Sequence, residues 1–236
     1  MSHTDLTTEK YIEVEEQFRT KLLNHLGDRV ILYCITGSLN HKTIIPGWSD
    51  VDILLLIDKY DSHFFESLNE CLNDNKSGIK IGTTFYSIKE YKRTDIFFDP
   101  KSQFSLELIK RGVYKPQIIN ERVVEILESN KNVIEWFDSV NLTRLLFDLK
   151  RGITSFPDAN ERSLYKCVIT ILKILVYREG IMSLSYEDTI RHSRNILSYP
   201  HLLPTPEDVA YNKTDYMERR DAYIDFIVWL ENRLYA

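Results

Sequence analysis

Glycine and proline are sparse, 8 and 7 in 236 residues, which excludes collagen-like and low-complexity chains. Cysteine is scarcer still. Cys34, Cys71 and Cys167 are odd in number, far apart and set among apolar neighbours. They offer neither a disulfide framework nor a CxxC metal site, and are read as buried thiols. No apolar run approaches the ~18 residues of a membrane helix. The opening MSHTDLTTEK lacks the basic-then-apolar order of a secretory signal. The expectation is a soluble, cytoplasmic chain with no membrane partner. Basic residues do not predominate, with 30 Lys and Arg against 35 Asp and Glu; residues 1–140 carry 22 acids and 17 bases, and residues 141–236 carry 13 of each. Without a basic stripe, no nucleic-acid partner is expected. His192 and His201 have no second ligand at His-x₃-His spacing, so zinc has no support.

What is present suits an ordinary globular core, with 43% hydrophobic and 28% charged residues in a length between one and two average domains. Thr7 or Thr8 as cap, then Phe18, Leu22 and Leu26, predict a first helix ending at Gly27. VILYCIT (30–36) has no polar alternation and reads as a strand covered on both faces. Val51–Ile57 is a second such strand, residues 62–74 an amphipathic helix, and Ile79–Ile88 a third strand. Ser87 with Glu90 forms a capping box, Asp99-Pro100 opens another helix, and Gly112 stops it. The pattern is then helical over Val133–Phe147, Arg162–Arg178, Tyr186–Leu197 and one long stretch, Pro206–Leu234. Residues 164–178 are apolar nearly all round, as in the central helix of a bundle, and Gly180 closes them. The fold class is therefore α+β: a small mixed-sheet domain (1–125), then a helical domain (126–236).

The informative residues are Gly37-Ser38 at the end of the first strand, eleven residues, then Asp50-Val51-Asp52 opening the second. Strand alternation sends Asp50 and Asp52 to one side, beside a Gly-Ser turn that leads into a short helix. Two adjacent carboxylates need a cation. Oxygen ligands suit Mg²⁺, while main-chain N–H groups of the turn and helix start suit a phosphate. Packing alone would choose Val or Ile at these positions, so the combination reads as a metal and triphosphate site.

On G37-S-L-x-x-x-T43-x-x-P46-x-x-S49-D50-V-D52, followed by K80-I-x-x-x-F85-Y86-S87, the chain resembles the nucleotidyltransferase superfamily of the DNA polymerase β type. More narrowly, it resembles the kanamycin (aminoglycoside) nucleotidyltransferases. The resemblance implies transfer of a nucleoside monophosphate from an Mg²⁺-bound nucleoside triphosphate to a hydroxyl of a small-molecule acceptor, with antibiotic resistance as one outcome. It places Asp50 and Asp52 on the metal and Gly37, Ser38 and Ser49 on the nucleotide. It also implies an acceptor bound between the two domains, and a homodimer sharing a cleft as one arrangement.

The chain departs from that family on the third strand. The family's third metal carboxylate aligns with Gly82, and no Asp or Glu lies between Ile79 and Lys89. Glu90 and Asp95 are not expected to reach the site in its place. The resemblance matches its general base most nearly to Asp148, with Lys150 or Arg151 as a phosphate-facing cation. Asp148 reads equally as a solvated helix carboxylate paired with a base. Lys166 and Lys173, seven apart on one helix face, present two cations to a triphosphate or form the solvent stripe of a buried helix. His41 is read as loop surface. The alternatives to an active small-molecule transferase are a nucleotide-binding or regulatory protein whose catalysis is impaired, and nucleotidyl transfer to a protein as in toxin–antitoxin relatives.

Overall fold

A computed structural model describes residues 6–91, 100–121, 123, 134–155, 161–183, 185–200, 202–211 and 215–235. The chain divides into two compact units, Met1–Val133 and Ile134–Ala236. The sequence boundary at 125/126 falls in a stretch outside the described residues, as do Asp95, Asp99 and His201.

The first unit is a four-stranded mixed sheet with helices. Helix α1 (Thr8–Leu26) starts where the Thr7 side chain accepts from Lys10 N–H, and leads through a 3₁₀ turn into β1 (Val30–Thr36). A five-residue helix, α2 (Gly37–His41), and a loop connect β1 to its antiparallel partner β2 (Val51–Ile57). Helix α3 (Ser62–Asn73), capped by Asp61, is the crossover that lets β3 (Ile81–Ser87) run parallel to β2. The Ser87–Glu90 capping box closes as expected: Glu90 N–H donates to Ser87 Oγ at 3.2 Å and Ser87 N–H to Glu90 Oε2 at 2.9 Å, opening α4 (Ile88–Tyr91). Helix α5 (Pro100–Lys110) ends before Gly112, and a two-residue strand, β4 (Ile118–Ile119), completes the order β3-β2-β1-β4. The sequence gives no sign of β4. It exists because Gln117 and Asn120 N–H donate to Tyr33 and Ile31 carbonyls, both at 2.9 Å.

One face of the sheet is the core. Tyr11, Phe18, Leu22 and Leu26 of α1 and Phe64 and Leu68 of α3 pack on Tyr33, Val51, Ile53, Leu55 and Ile57, all buried. Alternation therefore assigns Asp52 to the opposite face.

The second unit is helical: α6 (Ile134–Thr154), α7 (Glu161–Arg178), α8 (Tyr186–Ile196), α9 (Pro206–Tyr211) and α10 (Tyr216–Tyr235). As expected, α7 is buried on most sides, through Leu164, Val168, Ile171, Leu172 and Leu175 among others. It lies so close to α6 that a Cβ on Gly152 would fall 2.1 Å from Leu164 Cδ2. The single long last helix is corrected to two, because Asp215 Oδ1 accepts from Met217 N–H at 2.8 Å and starts α10 afresh. Buried Arg219 grips Glu161 with Nε–Oε1 at 2.7 Å and Nη2–Oε2 at 3.1 Å. Cys34 and Cys71 are buried as read, whereas Cys167 is only half-buried, on the flank of α7. Among the described residues no helix is long and apolar enough to cross a membrane.

Glu15 is an acid inside the first unit's core, 2% exposed. Burial raises its pKa above the ordinary 4.5; the Tyr33 hydroxyl and Arg19 oppose this, Arg19 Nε being 3.7 Å away. The folded state therefore binds a proton that the unfolded state releases. Stability is fullest below that ordinary value and declines as pH rises through the raised one. Glu15→Gln is expected to be more stable than wild type at neutral pH, with the gap closing as pH falls below the ordinary carboxylate range. Denaturant titrations across that range measure it.

Candidate functional site

The site is built where β1 ends against β2. Thr36 pairs with Asp52 across the ladder, and its Oγ1 donates to the Asp52 carbonyl at 3.3 Å. The chain then turns sharply at Gly37, with φ at +65°, a backbone region costly to any residue with a Cβ. A second reason for glycine is the neighbour. A Cβ there would stand 2.5 Å from Asp52 Oδ2, so the carboxylate occupies the space that a side chain would take.

On the other side Asp52 is paired with Gly82 of β3. A Cβ on Gly82 would lie 3.4 Å from Asp52 Oδ1, in ordinary contact. Position 82, where the sequence resemblance would expect a third carboxylate, thus directs its Cβ at the Asp52 carboxylate and holds none. Glu90 does not repair this. Its Oε2 accepts from the Tyr60 hydroxyl and from Ser87 N–H and Oγ, which anchors it in the capping box. Among the described residues, no three His, Cys, Asp or Glu side chains gather as a metal-ligand group. A pair of carboxylates such as Asp50 and Asp52 could hold an ion only if water or a bound group supplied the rest of its shell, as Mg²⁺ allows.

Asp50 is half-exposed and stands one residue before β2, whose first residue, Val51, donates its N–H to Lys80 O at 2.9 Å. Ser49 is buried, and its Oγ accepts from Ile45 N–H at 2.9 Å, closing the turn that delivers Asp50. Helix α1 braces the same loop, with Gly47 N–H donating to the Tyr11 hydroxyl at 3.1 Å. Helix α2, with five residues, is a single turn, so its dipole is small. What it presents is the Gly37–Ser38 main chain. Asn40 Nδ2 ties α2 to Ile35 O at 2.9 Å, and Ser38 O accepts from Thr43 N–H at 2.9 Å.

Two residues near the turn escape sequence reading. His41 is half-buried at the end of α2 rather than loop surface, and its Nε2 lies 2.8 Å from the Tyr114 hydroxyl. Tyr114 is 5% exposed; burial pushes its phenol far above the usual range, the Gly37 N–H works against this, and Cys34 and Asp52 add to it. Seventy-three positions separate the pair, and no local pattern announces a contact at that range. Cys34, on β1 of the same sheet, is pushed up to about 12 by burial and is no thiolate at neutral pH.

The remaining candidates belong to the second unit. Asp148 is exposed on α6, its Oδ2 3.8 Å from Arg144 Nε, and Lys150 and Arg151 are exposed beside it. Lys166 and Lys173 are half-buried on α7, and Lys173 Nζ stands 5.8 Å from the Tyr186 ring centroid.

No protein-family model matches the sequence, and no curated protein matches it significantly. Among solved structures, the chain is similar to the spectinomycin adenyltransferase AAD(9) from Enterococcus faecialis with ATP and spectinomycin. That likeness covers 95% of this chain and 99% of that chain, with a TM-score of 0.57 at 13% sequence identity. A looser one, at TM-score 0.27 and 15% identity, covers 98% of this chain and 100% of the CdnE cyclic dinucleotide synthase from Elizabethkingia meningoseptica with GTP and Apcpp. What the first likeness establishes is a common fold, a small mixed sheet followed by a helical region.

The two glycines flanking Asp52 should respond differently to a methyl group. Gly37→Ala is expected to cost about 1–2 kcal/mol of stability through its positive φ and to displace the Asp52 carboxylate. Gly82→Ala should stay within about 0.5 kcal/mol of wild type. Thermal melts of the two variants compare them directly.

Proposed function

We propose that the chain is an Mg²⁺-dependent nucleotidyltransferase that moves a nucleoside monophosphate from a nucleoside triphosphate to a hydroxyl of a small molecule. The observation that carries this reading is the Asp52 carboxylate seated against the Gly37–Ser38 turn, in the fold that the AAD(9) adenyltransferase shares. Adenylate from ATP, and an aminocyclitol or aminoglycoside acceptor, are the first substrates to test on the strength of that neighbour.

Each residue's role follows from its place. Asp52 is rigid, because β1 and β3 flank it. Extending strand alternation by one residue brings Asp50 to the same side, so the two together would hold Mg²⁺. When bound with the triphosphate, Mg²⁺ offsets charge on the phosphate oxygens and steadies the leaving pyrophosphate. The Gly37–Ser38 main chain and the Ser38 hydroxyl orient the β and γ phosphates, and Ser49 keeps Asp50 in register. Lys150, Lys166 and Lys173 are proposed phosphate-side cations, and the helical unit is the proposed acceptor-binding and dimerisation unit. The acceptor hydroxyl must lose a proton. Gly82 contributes nothing to this, so a base has to; Asp148 is the proposed one.

Gly82 also favours a second reading, a protein that binds the metal–triphosphate complex but turns it over poorly. Asp50 and Asp52 would still hold the ion carried by a triphosphate, while an ion serving the attacking hydroxyl would lack a donor at position 82.

Incubation with each labelled nucleoside triphosphate, Mg²⁺ and a panel of aminocyclitols and aminoglycosides is expected to release pyrophosphate. Asp52→Asn should abolish the release, and Asp148→Asn should lower kcat by about 10²- to 10⁴-fold. Triphosphate binding with no release, restored by Gly82→Asp, selects the second reading. Absence of triphosphate binding in the wild type overturns both.

A further inference from the structure

Helix α2 is too short to hold its own shape. Five residues give about one turn of internal hydrogen bonds, below what sustains an isolated helix. Its geometry must be imposed from outside, and one buried side chain acts on its last residue. At the C-terminal end, the Tyr114 hydroxyl is 2.8 Å from His41 Nε2, with the rings 5.2 Å apart and tilted by 40°. Tyr114 is itself anchored, since its N–H and that of Val113 donate to Leu108 O on α5 at 3.1 and 2.9 Å. A phenylalanine would fill this space equally well; what the hydroxyl adds is a connection between α5 and residue 41, and so to the short helix that begins at Gly37.

We propose that Tyr114, acting with His41, is a positioning residue that fixes the Gly37–Ser38 turn against the Asp52 carboxylate and thereby sets the affinity for the nucleoside triphosphate. This rests on the nucleotidyltransferase reading above. The phenol touches no reacting atom. It holds the main chain that does, and without it Gly37, already at positive φ, has alternative conformations in which Asp52 Oδ2 is no longer covered. The nucleobase lies outside this effect, so the loss should be similar for all nucleotides.

The test measures Mg²⁺-dependent binding of non-hydrolysable analogues of the four nucleoside triphosphates to the full-length wild type, Tyr114→Phe, His41→Leu and His41→Gln. The glutamine offers an amide oxygen near the position of Nε2. Tyr114→Phe and His41→Leu are expected to weaken binding about tenfold, and His41→Gln to return it to within about threefold. Thermal midpoints of the two histidine variants should agree with each other. If the wild type binds and Tyr114→Phe and His41→Leu bind as tightly, the proposal fails while the nucleotidyltransferase reading stands. The proposal also fails if His41→Gln is as weak as His41→Leu, since shape rather than the hydrogen bond would then be at work. Should Tyr114→Phe not fold, the comparison of the two histidine variants decides alone. A wild type that binds none of the four removes the reading itself, and this inference with it.

Discussion

A single short-range exclusion organises the site: the Asp52 carboxylate occupies the volume that a side chain at position 37 would need. Asp52 Oδ2 would be 2.5 Å from any Cβ at position 37, so the strand end can carry the acid only if the turn carries none. The positive φ of Gly37 follows from the same crowding, since β1 must end, reverse and leave room within one residue. The contacts that brace the turn preserve this proximity, including Thr36 on the Asp52 carbonyl, Asn40 on Ile35 and Tyr114 on His41. A carboxylate is thereby held beside a sharply turned main chain, and under the proposed reading a divalent cation with a polyphosphate would satisfy both at once.

The opposite side of Asp52 is open in a chemically specific way. Gly82 has neither a positive φ nor a tight contact to require it, and its Cβ direction points at Asp52 Oδ1. Backbone strain does not explain a glycine there, which separates it from Gly37. If the proposed reading holds, the donor set is short by a carboxylate at a place where the scaffold would accept one. Binding and turnover would then be separable, because a triphosphate would supply ligands for its own ion but none for the acceptor.

Much of this was legible in the linear chain. The strands at 30–36 and 51–57 are uninterrupted β-branched and aliphatic runs, a pattern that only a doubly covered strand tolerates. The helix boundaries at Thr7, Ser87–Glu90, Gly112 and Gly180 are marked by residues whose capping chemistry is local. Asp52 stood out because a charge at the start of a buried strand contradicts its surroundings. Other features were illegible for reasons that are equally physical. Strand β4 has two residues and exists only through its pairing with β1. The break before α10 depends on Asp215 choosing the N–H groups ahead of it over continuation of the helix. His41 reads as an ordinary polar loop residue until Tyr114 arrives from seventy-three positions away.

By itself, then, the sequence determined where hydrophobic periodicity begins and stops, and which polar residues violate it. Those properties are set within a few residues by backbone sterics and by the transfer of side chains out of water. The tertiary structure alone decided which violations meet: that Gly82 rather than any acid faces Asp52, that Ser49 spends its hydroxyl acceptor on Ile45, and that a tyrosine after α5 reaches His41. Such meetings depend on strand register and on the packing of helices over the sheet. Neither is encoded at any one position, because both minimise the free energy of the whole unit at once.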